Sequence, residues 1–334
     1  MSVLYPVLIA LSALMVGCQS STMTAAKLYL KQGEPLKAKE QLLLTIEAEP
    51  ENAEAHFLLG ELYGAEGAYE EMVAQFEAAA GSAHQAEIDV LRQNYWARAY
   101  NEGVAYAQGD SMDLDRSKVA FINATRIDEQ RLESWRNLAY VYYQSEQTED
   151  AITTYEYIIK RANDDTDSFY SLGVLLLNEG RYAEAVDVLN DLAQIDPNHL
   201  EGHINLAVAQ VNTEDVEGAE RSYKRAIEIS PDAANPHYNL GNLYWQQDRY
   251  EDALQAYAKA SELDPSDNDA LYNLAITHLA LNDSEAALPL LEELSVRMPD
   301  NASVWRELGR IYAINGQIKQ SENAYAREQE LTEQ

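Results

Sequence analysis

The chain has 334 residues, 24 of them Lys or Arg against 56 Asp or Glu, for a formal net charge of −32 at pH 7, and 46% of it is hydrophobic. That apolar share suffices for a buried core, while the negative field repels nucleic-acid phosphates and no basic stripe offsets it. The field also repels anionic lipid surfaces and attracts basic segments of a protein partner, although acidic faces that only keep a long chain soluble are the favoured reading.

In chain order the first feature is an almost unbroken apolar run from Val3 to Val16, followed by Gly17 and by Cys18, the sole cysteine. So short a run before a small residue reads as a secretory signal over residues 1–17, not as a spanning helix. With one cysteine there is no disulfide framework. Residues 18–22 make a short tether, and then a 34-residue period takes over. Pro197, Pro231, Pro265 and Pro299 mark it, as do the small residues Ala139, Gly173, Ala207, Gly241, Ala275 and Gly309. The large residues Tyr155, Leu189, Tyr223, Tyr257, Leu291 and Tyr325 follow the same spacing, and so do Ala151, Ala185, Ala219, Ala253, Ala287 and Ser321. Such a period is the signature of a helical repeat. Each unit holds two stretches of roughly 13 residues with apolar positions at helical spacing, joined by a short polar turn. Proline closes the second stretch, because it donates no backbone hydrogen bond and disfavours helix in the residue before it. One hairpin cannot bury its own apolar face, so neighbours must stack.

The register gives nine units: 19–52, 53–86, 96–131, 132–165, 166–199, 200–233, 234–267, 268–301 and 302–334. They group as an N-terminal pair over 23–86, a helical insertion over 87–95 that forms a seam, and a seven-repeat array over 96–334. The third unit carries two extra residues in its turn around Asp110–Asp115. Gly173 and Gly241 read as helix-contact positions where Ala is tolerated, since other units use Ala there. The last helix carries Lys319, Gln320, Glu322, Asn323 and Glu328 and is polar on most sides, as suits a capping repeat.

Trp135-Leu138-Ala139-Tyr142-Ala151-Tyr155 and Trp305-Leu308-Gly309-Tyr312 resemble the tetratricopeptide repeat (TPR) family motif. The resemblance covers nearly the whole chain after the leader. It implies an all-α, right-handed superhelical solenoid of about nine helix-turn-helix repeats, whose first helices line a concave groove. The leader resembles the bacterial lipoprotein signal, although no Lys or Arg precedes its apolar run. That resemblance implies that Cys18 is acylated, becomes the new N-terminus, and tethers an outer-membrane lipoprotein facing the periplasm.

Motifs for chemistry are few. There is no Walker loop, nucleophile elbow or dinucleotide fingerprint, and neither an enzymatic activity nor a cofactor is expected. His199 and His203 are four apart, but His203 occupies a packing position and no third ligand is near in sequence. The Asp110–Asp115 segment lacks the central Gly of a calcium loop. Attention therefore turns to first-helix positions that packing does not require. Two residues before the small position stand Asn137, Asn205, Asn239 and Asn273, where Asn is a poor helix former. An amide donates and accepts, so a ladder of them can pair with a peptide backbone without reading its sequence. Those four positions resemble the asparagine ladder in the TPR domain of O-GlcNAc transferase; a groove kept soluble by Asn is the alternative. Tyr170, Tyr238 and Tyr272, with Trp245 and Asn242, stand beside the ladder as contact anchors. Arg306 and Arg310, one turn apart, suit a carboxylate or an acidic side chain, with plain solvated charge as the favoured alternative. Glu220, Gln255 and Glu292 fall on outer helix faces. The expected function is a scaffold for other proteins, gripping extended or helical segments, with membrane contact through the lipid alone. By resemblance it is similar to TPR lipoproteins of pilus and envelope assembly. A regulatory or delivery subunit of an envelope enzyme is the other reading.

Overall fold

The computed structural model describes residues 20–108 and 112–333. The leader, Cys18 and Asp110 lie outside them. Among the described residues there are eighteen α-helices and no strand. The first unit of chain order to the third hold α1 (Ser21–Gln32), α2 (Pro35–Ala48), α3 (Ala53–Glu66), α4 (Tyr69–Ala78), α5 (Gln85–Ala107) and α6 (Leu114–Ile127). Next come α7 (Leu132–Gln144), α8 (Thr148–Arg161), α9 (Thr166–Asn178), α10 (Tyr182–Ile195), α11 (Leu200–Asn212) and α12 (Val216–Ile229). The last are α13 (Ala234–Trp245), α14 (Tyr250–Leu263), α15 (Asn268–Ala280), α16 (Ser284–Arg297), α17 (Ala302–Ile314) and α18 (Ile318–Thr332). In chain order they make nine helix–turn–helix repeats.

The insertion expected to be helical over 87–95 is helical. A single 23-residue helix, α5, runs through it. Ile88 is buried in one core with Phe57, Met72, Phe76 and Ile127, against which Leu91 and Tyr95 pack. The Arg92 guanidinium donates to the Ile127 carbonyl at 3.2 and 2.8 Å. Helix-period apolar residues in the insertion thus fuse its neighbours hydrophobically. The compact division falls between Thr154 and Tyr155, inside α8.

The hairpin turns outside the third unit are built alike. Gln147 donates its backbone N–H to Tyr142, Arg181 to Leu176, Asp215 to Gln210, Arg249 to Tyr244, Asp283 to His278 and Gln317 to Tyr312. This is the six-to-one closure of a Schellman motif, which needs a left-handed residue just before the donor. Gly180 and Gly316 supply it at φ 70 and 72°. Four L-residues are held there as well: Glu146, Glu214, Asp248 and Asn282, at φ 58 to 61°.

Within a hairpin the small first-helix residue faces the large residue sixteen positions on. A Cβ placed on Gly241 would lie 2.7 Å from the Tyr257 ring, one on Gly173 2.5 Å from Leu189, and one on Gly309 2.8 Å from Tyr325. These glycines are helix contacts, and at Gly241 the Tyr257 ring occupies the space that an added methyl would take on this backbone. Ser321, in the alanine column, donates its hydroxyl to the Gly309 carbonyl at 2.8 Å across the same crossing. The last helix buries Ser321 and Ala324, while Ile318 and Tyr325 are exposed with its polar residues.

Candidate functional site

The four asparagines are half-buried on the first helices of their repeats, and their amides are engaged differently. In the first compact unit, Asn137 on α7 donates to the Tyr100 hydroxyl on α5 at 3.1 Å and to the Glu133 carbonyl at 2.8 Å. The second unit holds the others. Asn205 on α11 makes no side-chain hydrogen bond among the described residues. Asn239 on α13 donates to Asn235 Oδ1 at 2.8 Å. Asn273 on α15 donates to the Tyr238 hydroxyl and to Asn242 Oδ1, both at 3.3 Å. The expected uniform ladder is therefore two inter-repeat struts, one amide tied to its own helix, and one amide without a partner.

Around Asn273 the side chains converge. Tyr257 donates its hydroxyl to Asn242 Oδ1 at 2.7 Å, and its ring lies 5.9 Å from that of Tyr238. Burial, with Tyr238 beside it, pushes the Tyr257 hydroxyl well above the usual tyrosine range, so it acts as a neutral donor. Asn242, Trp245, Tyr257, Asn273 and Ile276 line a cleft of about 290 Å³. Trp245 is braced edge-on by Tyr250 at 5.0 Å.

The other candidates are elsewhere engaged. Tyr170 stacks on His199 at 5.0 Å. Tyr272 is half-buried, and burial followed by the charge of Glu307 raises its hydroxyl. Arg306 and Arg310 straddle Glu307, at 3.5 and 3.6 Å. The carboxylate they suit is thus supplied within the chain, on a Glu307 side chain only 15% exposed. Two residues expected on free outer faces are structural. Glu220 on α12 accepts from Lys224, from Tyr244 on α13 and from Arg249, at 2.6, 3.0 and 2.7 Å. Burial opposes its ionisation, but these three donors override it and hold the carboxyl at about 2. Glu292 accepts from the Tyr312 hydroxyl at 2.8 Å. Gln255 is exposed.

Histidine chemistry resolves into packing. His203 is buried, and Nε2 meets the Pro197 carbonyl at 3.1 Å; burial lowers its pKa. His56 and His237 meet the Pro50 and Pro231 carbonyls in the same way, and the indoles of Trp135 and Trp305 donate to Glu129 and Pro299. In these repeats a ring nitrogen reaches the carbonyl six residues before it, whereas Phe169 and Leu271 fill the same position by packing alone. Sequence reasoning missed the ring contact, though the alternation of His with Trp was its signal. His199 caps α11, accepting from Gly202 at 3.0 Å. Asp113 caps α6, accepting from Arg116 at 3.0 Å, and Asp115 pairs with Lys118 at 3.3 Å, so both serve the helix start.

Models of the tetratricopeptide repeat match residues 23–87, 136–199 and 244–308, and one described as TPR repeat matches 213–248. A curated relative, BBSome complex member BBS4 of Bos taurus, is 30% identical over 207 residues, which are 61% of this chain and 37% of that protein. The chain thus spans little more than a third of that relative's length. Among solved structures, pilF of Pseudomonas aeruginosa is similar in fold with a TM-score of 0.50 at 17% identity, over 63% of this chain and 95% of that one. YrrB, described as a TPR protein with an unusual peptide-binding site, has a TM-score of 0.48 at 21% identity, over 55% and 95%. With its repeat models covering more than half of the sequence and helical hairpins recurring at the 34-residue interval, the chain belongs to the tetratricopeptide repeat proteins.

Proposed function

We propose that the chain is a non-enzymatic protein-interaction scaffold that holds extended partner segments along the first helices of its second compact unit. The carrying observation is that Asn205, Asn239 and Asn273 each keep amide valences unused among the described residues. Asn205 keeps all of its own, and Asn239 and Asn273 keep their carbonyl oxygens. Half-exposed Tyr238, Tyr272 and Trp245 stand beside them as anchors of the kind that concentrate binding energy. The net charge of −32 favours partners with basic segments. The anchor is Cys18, acylated after removal of residues 1–17, which tethers the scaffold in a bacterial envelope on the periplasmic face of the outer membrane. Assembly of pili or other envelope complexes is the role proposed for it there.

The test is recovery of partners from envelope extracts. The double change Asn205→Ala with Asn239→Ala should lower recovery several-fold, whereas Gln255→Ala with Glu285→Ala, at exposed second-helix sites, should leave it intact. Equal recovery by both would mean that the asparagines only keep the surface wetted. Cys18→Ala should release the protein from the membrane fraction; mass spectrometry finding mature wild-type protein without acylation would remove the anchor from the reading.

A further inference from the structure

Valence counting at the cleft between α13 and α15 specifies what it takes. A primary amide offers two donor hydrogens and two acceptor lone pairs. Asn273 spends both hydrogens, on Tyr238 and on Asn242. Asn242 spends both lone pairs, accepting from Asn273 and from Tyr257. Neither amide can turn over alone without breaking the contact between them, so the pair leaves one donor and one acceptor free. What remains is the Asn242 Nδ2 donor and the Asn273 Oδ1 acceptor. Neither is among the atoms sealed off without a partner. Around them are Trp245, Tyr257 and Ile276, with no charged side chain in the lining.

A carboxylate would meet the Asn273 lone pairs and find no cation; an ammonium would meet the Asn242 hydrogens. Either would lose hydration without compensation. A peptide unit carries one C=O and one N–H and satisfies both groups together. The volume of about 290 Å³ is at the bottom of the roughly 300–1,000 Å³ found for ligand pockets, and fits a single side chain. We propose that this cleft binds one uncharged main-chain peptide unit inside an extended partner segment, its C=O on Asn242 and its N–H on Asn273, with the adjoining apolar side chain lodged between Trp245 and Ile276. The inference rests on the scaffold reading above and adds that recognition is internal to the segment, neutral, and independent of a chain terminus.

The experiment pans linear peptides displayed on phage against the full chain, then measures the selected peptides by fluorescence polarisation. Each peptide is made as C-terminal acid and as amide, and with single N-methyl groups scanned along it. Losing one net hydrogen bond corresponds to a weakening of about two- to ten-fold. We expect that weakening from N-methylation at one nitrogen beside an apolar residue, and equal affinity of acid and amide forms. Asn242→Ala and Trp245→Ala should weaken the parent peptide, and Asn273→Ala should abolish the N-methyl effect. The N-methyl scan leaves the protein unaltered, so misfolding cannot mimic it. A need for the free carboxylate, or a flat scan, overturns the inference. Peptides that ignore the cleft variants yet lose affinity on Asn205→Ala overturn it while leaving the scaffold standing; recovery of no peptide at all counts against both.

Discussion

Gly241→Ala adds one methyl where α13 crosses α14. Built on the existing backbone, that methyl stands 2.7 Å from Cδ1 and Cε1 of Tyr257, so the ring must withdraw by about 0.7 Å to reach ordinary contact at 3.4 Å. Tyr257 is 2% exposed and its hydroxyl is tied to Asn242 at 2.7 Å, so withdrawal strains that bond. Alanine returns about 1 kcal/mol of helix propensity, against an overpacking cost of about 1–3 kcal/mol. The expected balance is a loss of about 1 kcal/mol, which hydrogen exchange over α13 and α14 would read as about five-fold faster opening. Local exchange is preferred to a single melting temperature, because repeat arrays do not unfold as one two-state unit. The decisive comparison is the same change after Tyr257→Ala, which removes the ring that the methyl would meet. In that background Gly241→Ala should stabilise by about 0.5–1 kcal/mol. An alanine that stabilises equally in both backgrounds would refute the packing argument.

Glu214 sits at φ 61° in its hairpin turn, where an L-residue costs about 1–2 kcal/mol; glycine gives back part of that as unfolded-state entropy. Glu214→Gly should raise the urea midpoint by an amount equivalent to about 0.5–1 kcal/mol, and Gly180→Ala should lower it; a fall for the first would show that the turn is not under strain. The folded carboxyl of Glu220 is depressed from 4.5 to about 2, so its contribution is complete above pH 4.5 and fades as pH falls towards 2. Denaturation midpoints of Glu220→Gln should lie below wild type at pH 6 and converge with it in acid, and a constant gap would contradict the assignment. Asn273→Ala breaks a strut and should cost about 1 kcal/mol, whereas Asn205→Ala should leave the melt unchanged or slightly raised; the reverse order would mean that the amide partners are misassigned.

The sequence made the repeat legible because packing imposes it on each unit alike. Small residues at Gly173, Ala207, Gly241 and Ala275 must meet Leu189, Tyr223, Tyr257 and Leu291, and no substitution escapes that without opening a cavity or a clash. The hairpin turn was legible too, and was missed. Gly33, Gly67, Gly180 and Gly316 share one column with Asn282 and with Glu146, Glu214 and Asp248, and all eight have positive φ. Acidic residues are poor advertisements for a left-handed turn, so the column reads as merely polar unless its glycines are aligned first. The insertion over 87–95 is helical as expected, and its packing shows what a broken period hides. A break in the period reads as a break in the core, yet Ile88, Leu91 and Tyr95 are spaced to stay on one helix face.

What no column of residues reveals is which amide remains free. Asn273 is turned inward because Tyr238 lies thirty-five residues earlier and its hydroxyl reaches across to the next repeat. Asn137 has the same relation to Tyr100, lengthened by the two extra residues of the third unit. Asn239 follows Ile204, which has no hydroxyl, and settles on Asn235 of its own helix. Asn205 follows Tyr170, whose ring is stacked on His199, and is left with every valence open. Identical residues at one repeat position thus present different faces: donor and acceptor at Asn205, one donor and the acceptor at Asn239, the acceptor alone at Asn273. A segment lying along α11, α13 and α15 meets a row whose acceptor capacity persists while its donors dwindle. That asymmetry gives the row a direction, and an extended backbone satisfies it best where Asn242 restores the missing donor.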